Sequence, residues 1–334
     1  MDFLPDADQD ALVEATREYI GSRFPLIDPP TRLDDVRWKE ITELGWLGLA
    51  TDEQAGGAGA TLLDEVFVFR EIGRGLVCGP ILTTLATARL AAWTDQTALA
   101  ADLVAGQSRV ARALPLPGEP DRLLVLDGDD APLTLVVDSC HAALHRTPAA
   151  LSTHPGLEDG TSVSHVARAD LGVPEVSSDD ALTVRRLRRV LSILTSAQLA
   201  GIAGVTRDLA TAFAKDRVQF GKPIGAFQAI KHKCADMATA ALAAENVTYF
   251  AALTEARAGC DSDYNALAAA ANTRRAAFAN ARANVQIHGA MGFTVEDSAH
   301  RFVKRAHTLS ATEGFDHAAE LLGGLPSAES SEES

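Results

Sequence analysis

The chain has 334 residues, 47% of them hydrophobic, enough for a sizeable core and two or three domains. Acidic residues outnumber basic ones 45 to 30, a formal charge of -15 that argues against a nucleic acid or an anionic membrane as partner. Cys78, Cys140, Cys234 and Cys260 show no metal-binding spacing and read as reduced cytoplasmic thiols.

The opening residues, MDFLPDADQD, carry neither the basic nor the apolar part of a signal peptide. No stretch of about 18 apolar residues predicts a membrane span. Residues 1–107 read as a helical domain. Asp6 or Asp8 can cap a first helix to about Arg23, with Leu12, Val13 and Ile20 on its apolar side. After Pro25, Pro29 and Pro30, Asp34 or Asp35 opens a helix carrying Trp38, Ile41 and Leu44. Further apolar-faced helices span about Leu62–Gly73 and Leu82–Trp93. Residues 108–178 change character. Arg109–Leu116, Arg122–Leu126 and Leu133–Val137 are short and β-prone, and Pro, Gly and Asp punctuate them, which predicts a small β-domain. Residues 179–322 return to helix. Asp179 or Asp180 caps a helix from about Leu182 to Lys215, and two more cover about Phe227–Ala258 and Asp263–Gly289, lengths suited to a bundle. Shorter helices follow at about Glu296–Thr308 and Asp316–Leu322. Residues 323–334 read as a disordered acidic tail.

Three places carry candidate chemistry. In RVQFGKPIGAFQ, residues 217–228, a tight Gly-Lys-Pro turn puts Arg217 at a helix end and Gln228 at the next helix start. Both suit a phosphate, and a plain helix corner suits them equally. In QIHGAMGFT, residues 286–294, Gly289 and Gly292 let a backbone approach a ligand, or cap a helix. Glu313 before Gly314 is a lone acid near a helix end. Arg185, Arg186, Arg188 and Arg189 form a basic cluster that is a solvated face, a set of salt bridges to acids such as Asp179 and Asp180, or a site for phosphates or for an acidic partner subunit. The histidines show no metal-ligand spacing, and no nucleotide-triphosphate or hydrolase motif is present.

RVQFGKPIGAFQ resembles the R-x-x-F-G signature, with its later Gln, of acyl-CoA dehydrogenases, and QIHGAMGF resembles their Q-x-x-G-G-x-G. WKEITELGWLGL with GGAGATLLDEVFVFREIGRGL resembles their N-terminal helical domain. The resemblance implies a mostly α fold: N-terminal helices, a β-domain reduced here, and a C-terminal four-helix bundle. It implies that Arg217, Phe220, Phe227 and Gln228, with Gln286, Ile287, His288, Gly289 and Ala290, contact the pyrophosphate part of an FAD shared with a neighbouring subunit. Ala290 stands where the family has Gly. Counting from Gln286, Glu313 falls at the family's catalytic glutamate, which removes the α-proton of an acyl-CoA thioester while a hydride passes from the β-carbon to the flavin. Phe315 replaces the Thr that usually follows Glu-Gly. Leu191 and Ser192 occupy the alternative base position and its neighbour, and neither can act as a base.

The family's flavin-covering loops have no counterpart in LVLDGDDAPLTLVVD. The chain thus resembles the smaller subunit of heteromeric actinobacterial enzymes acting on steroid side chains or other bulky acyl-CoA thioesters. That implies a full-length homologous partner, a heterotetramer with two chains of each kind, and an acceptor such as electron-transfer flavoprotein. Two alternatives stay open. One is a non-catalytic structural or regulatory subunit. The other is a flavin-free homodimeric dehydratase or isomerase of a thioester.

Overall fold

A computed structural model describes residues 5–30, 32–116, 118–149, 151–257 and 261–312. Five helices come first: α1 (Ala7–Arg23), α2 (Asp35–Glu43), α3 (Leu62–Arg74), α4 (Ile81–Trp93) and α5 (Thr97–Val104). Asp6 starts α1 through a capping box with Gln9, and Thr61 starts α3 through one with Asp64. Asp34 caps α2 by accepting the Arg37 N–H. The eight-residue α5 was not expected: TALAADLV has no side-chain cap and is too short to show a helical period.

Next come the strands β1 (Val110–Leu116), β2 (Glu119–Leu126), β3 (Leu133–Val137), β4 (Ala142–Arg146), β5 (Thr153–Pro155), β6 (Ser162–Ala167) and β7 (Val176–Ser178). They form one seven-stranded sheet in the order β5-β6-β2-β1-β3-β4-β7. β1 pairs antiparallel with β2 and parallel with β3. The sequence indicated β1 to β3. The other four are short and alternate weakly, and β5 is held only through β6. Leu133, Leu135 and Leu144 of the sheet share a buried cluster with Leu90 of α4 and with Val184, Leu187 and Leu191 of the next helix.

That helix is α6 (Ala181–Asp216), started by Asp180, which accepts the Thr183 N–H. A two-stranded hairpin, β8 (Val218–Gln219) with β9 (Lys222–Pro223), leads to α7 (Gln228–Ala256) and α8 (Ser262–His288), and α9 (Ala299–Thr312) completes the described chain. By length and composition α6 could cross a membrane, yet 94% of its apolar window is buried inside the protein, which makes it the core helix. It packs on α3, α4, α7, α8 and α9. The approach to α3 is backbone against backbone. A Cβ on Gly201 would meet the Arg70 carbonyl oxygen at 2.0 Å, and one on Gly73 would meet that of Gln198 at 2.1 Å. Only glycine allows this crossing, since a real Cβ would overlap the facing carbonyl.

The architecture is the expected one: mostly α, with N-terminal helices, a small sheet and a C-terminal helical bundle. The helix expected at 316–322, the acidic tail, Cys260, Glu313 and Phe315 lie outside the described residues.

Candidate functional site

α6 stops at Asp216, and Arg217 turns extended with φ -73° and ψ 117°. The hairpin reverses the chain in two residues, Phe220 at φ 52° and Gly221 at φ 78°. Such a turn needs two left-handed residues, and a Phe in that region is strained. The Ile224 N–H donates to the Arg217 carbonyl at 2.8 Å and closes the base of the hairpin. Phe220 stands 90% exposed at the tip. Its ring lies edge-on to Phe227 at 6.2 Å, and Lys222 Nζ sits 4.4 Å from the Phe227 ring centroid. Arg217 and Gln228 are exposed.

α8 ends at His288 because Gly289 takes φ 65°. Gln286 and Ala290 are exposed, and Ile287 is buried. Ile287 shares a cluster with Ile224, Ile230 and Met237, so the hairpin, the start of α7 and the end of α8 form one unit. Two motifs some sixty residues apart are therefore brought together. His288 stacks on Phe213 with centroids 4.2 Å apart. Its Nδ1–H donates to the Asn284 carbonyl at 2.9 Å, which fixes the tautomer and leaves Nε2 3.8 Å from Asp297. The side chain of His288 is thus committed to the fold, and what its segment offers outward is the Gly289–Ala290 backbone.

This end can hold an anion. Arg217 has no ion-pair partner among the described residues. The first turn of α7 has no side-chain cap; the Ile230 and Lys231 N–H groups donate to the Phe227 carbonyl, which leaves those of Gln228 and Ala229 to meet a phosphate. The arrangement fits the pyrophosphate of a dinucleotide such as FAD.

A second place lies inside the chain, where α4, the sheet, α6 and α9 meet. A cavity of about 80 Å³ is lined there by Ile81, Leu126, Asp127, Leu191, Gln198, Arg305 and Thr312, among others. Leu191, at the alternative base position, forms part of its wall, and Thr312 is the chain neighbour of Glu313. Arg305 of α9 donates to Glu158 at 3.1 Å and to the Val77 carbonyl, tying α9 to the sheet and to the α3–α4 connection. Burial pushes the Asp127 carboxyl up to about 6, while the Ser162 N–H and the Arg305 charge oppose the shift. Burial likewise raises the Cys78 thiol. Sequence reasoning missed Asp127, Glu158 and Arg305. They stand far apart in the chain, and no spacing signals their meeting.

The two places are well separated. Gln198 is the cavity residue of α6 nearest Arg217, and Arg217 follows it 19 residues on, roughly 28 Å along the helix axis. Between them Leu199 to Thr206 are all buried.

The arginine cluster of α6 takes other partners than Asp179 and Asp180. Arg189 forks to Glu255 and pairs with Asp263 at 2.7 Å, and Arg186 lies 4.3 Å from the Trp93 ring centroid. Asp180 caps α6, and Asp179 meets His141. Arg186 and Arg189 are therefore scaffolding, while Arg185 and Arg188 are exposed.

Two family profiles match the chain, "Acyl-CoA dehydrogenase, N-terminal domain" over residues 6–96 and "Acyl-CoA dehydrogenase, C-terminal domain" over residues 189–320. Acyl-CoA dehydrogenase IpdE2 of Mycobacterium tuberculosis is 33% identical over 276 residues, covering 82% of this chain and 81% of that protein. Acyl-CoA dehydrogenase FadE34 of the same organism is 33% identical over 291 residues, covering 80% of this chain but only 38% of that protein, so the chain spans well under half its length. Among solved structures, the ChsE4-ChsE5 complex from Mycobacterium tuberculosis matches with a TM-score of 0.81 at 21% identity, over 98% of this chain and 100% of that one. At that identity the match speaks for the fold.

Proposed function

The chain belongs to the acyl-CoA dehydrogenase family, and from that premise we propose that it is a cytoplasmic subunit of a flavin-dependent acyl-CoA dehydrogenase. It works with a full-length homologous chain. The observation that carries this reading is the outward-facing unit of Arg217, Gln228 and the Gln286–Ala290 segment, an anion site open to a second molecule. Arg217 and Gln228 hold the pyrophosphate of an FAD carried mainly by the partner. Phe220 and Phe227 flank it, and the Ile287–Ala290 backbone closes over it.

The chemistry FAD supplies when bound is acceptance of a hydride from the acyl β-carbon. The chain's own part in bond making falls to Glu313, the candidate base for the α-proton. A carboxylate suits that task in a dry pocket, where desolvation raises its pKa towards that of the activated C–H. Because the cavity lies along the first half of α6 and Arg217 just past its end, with buried helix between, they serve two different sites of the complex. The substrate we propose is a bulky, steroid-like acyl-CoA thioester, and the acceptor an electron-transfer flavoprotein.

The small volume of the cavity, about 80 Å³, favours a second reading, a structural subunit that only completes the partner's cofactor site. Spectra and one variant separate these readings. The purified chain alone is expected to be colourless, and the complex yellow and active. Stoichiometric FAD on the single chain would refute dependence on a partner. Glu313→Gln is expected to lower turnover of the complex at least about 100-fold if Glu313 is the base. Unchanged turnover selects the structural reading.

A further inference from the structure

Lysine is scarce in this chain and unevenly placed. Four of its six lysines, Lys215, Lys222, Lys231 and Lys233, fall in a stretch that also holds Arg217 and a single carboxylate, Asp216. They collect at one end of the bundle: Lys215 in the last turn of α6, Lys222 on β9, Lys231 and Lys233 in the first two turns of α7. All four are exposed. The other two lysines are paired, Lys39 with Glu43 at 3.7 Å and Lys304 with Asp159 at 3.6 Å. Among the described residues none of these four has a carboxylate partner, although the chain carries 45 acidic residues.

The choice of residue also matters. Elsewhere the chain mostly uses arginine, held in forks such as Arg17–Glu71 and Arg189–Glu255. Lysine is a mobile, strongly hydrated point charge that suits long-range attraction better than a fixed contact. Exposed apolar side chains stand at the same end, Val218 at 55%, Phe220 at 90% and Phe293 at 76% exposure. Apolar residues bordered by charge are the usual anatomy of a protein interface. A pyrophosphate carries about two charges, fewer than the five cations assembled here including Arg217.

We propose that this lysine rim docks a carboxylate-rich face of the partner chain and governs how fast the two chains associate. The inference rests on the partner-subunit reading above. A chain of charge -15 repels an acidic partner at long range. The rim reverses that field locally and orients the encounter so that the apolar patch and Arg217 arrive together.

The test mixes separately purified, flavin-free chain and co-purifying partner in a stopped-flow instrument between about 20 and 300 mM NaCl, a range over which screening becomes severe. For the wild type we expect association to slow about tenfold across the range, with dissociation changed less than about twofold. The variant Lys215→Gln/Lys222→Gln/Lys231→Gln/Lys233→Gln should associate about tenfold more slowly at low salt and respond little to added salt. Its thermal midpoint, matched to the wild type, shows that the fold is intact. Equal salt dependence in variant and wild type would overturn the proposal. So would a salt effect that appears only with FAD present, which would assign the lysines to the cofactor phosphates. Failure to form any complex, at any salt, would overturn the partner reading itself and the rim with it.

Discussion

Cutting the Arg305–Glu158 pair should release α9. The two side chains are each 7% exposed and 3.1 Å apart, and Arg305 also donates to the Val77 carbonyl. In Arg305→Met the Glu158 carboxylate stays buried without its counter-charge, and the Val77 carbonyl loses a charged donor. Breaking a buried pair from one side costs about 3–5 kcal/mol. Glu158→Met strands the guanidinium instead and should cost a similar amount. The double variant removes both charges together, and Arg305 borders a cavity that Ile81, Leu126 and Leu191 already line. It should therefore be more stable than the sum of the singles by at least about 2 kcal/mol. Urea unfolding of all four proteins gives this interaction energy. Amide hydrogen exchange locates it, since residues 299–312 should lose protection in the single variants before α6 does. An interaction energy below about 0.5 kcal/mol, or unchanged protection of α9, would refute the argument.

Two further predictions concern pH and strain. The Asp127 carboxyl lies at about 6 in the folded chain against 3.8 when unfolded, so folding favours its neutral form. That contribution is complete below the unfolded value and is lost as pH rises through about 6, so wild type should lose up to about 3 kcal/mol relative to Asp127→Asn across that interval. A pH-independent difference between the two unfolding free energies would refute it. Phe220→Gly relieves the left-handed strain at φ 52° and should raise stability by about 1 kcal/mol in thermal unfolding while weakening association with the partner. A loss of stability in the isolated chain would refute this and show that the edge contact with Phe227 outweighs the backbone strain.

The parts of this structure that were legible in the sequence are those with a local cause. Helix starts followed from Asp6, Asp34 and Asp180, each of which accepts a backbone N–H three residues on. The two motifs of the proposed anion site were legible because each is short and contiguous, while their meeting depends on Ile287 packing with Ile224 and Ile230. β4 to β7 were not legible, because strands of three to six residues take their stability from neighbours that a linear reading does not show. The buried Arg305–Glu158 pair escaped for the same reason. Arg305 and Glu158 are 147 positions apart, and only the docking of α9 on the sheet makes them partners.

An unbroken helix also limits how this chain can change length. One residue inserted into α6 between Gly201 and Arg217 would turn everything beyond it by about 100° and advance it by about 1.5 Å. Gly201 would keep its crossing with α3, while the hairpin would swing away from Ile287 on α8. Only insertions of a whole turn or more could approach the old facing, and those would lift the hairpin about 5 Å off its seat. The loops between strands carry no such constraint, since β5 and β7 each border a single neighbouring strand. Length variation in this architecture should therefore collect in the sheet and spare the helix that runs beneath it.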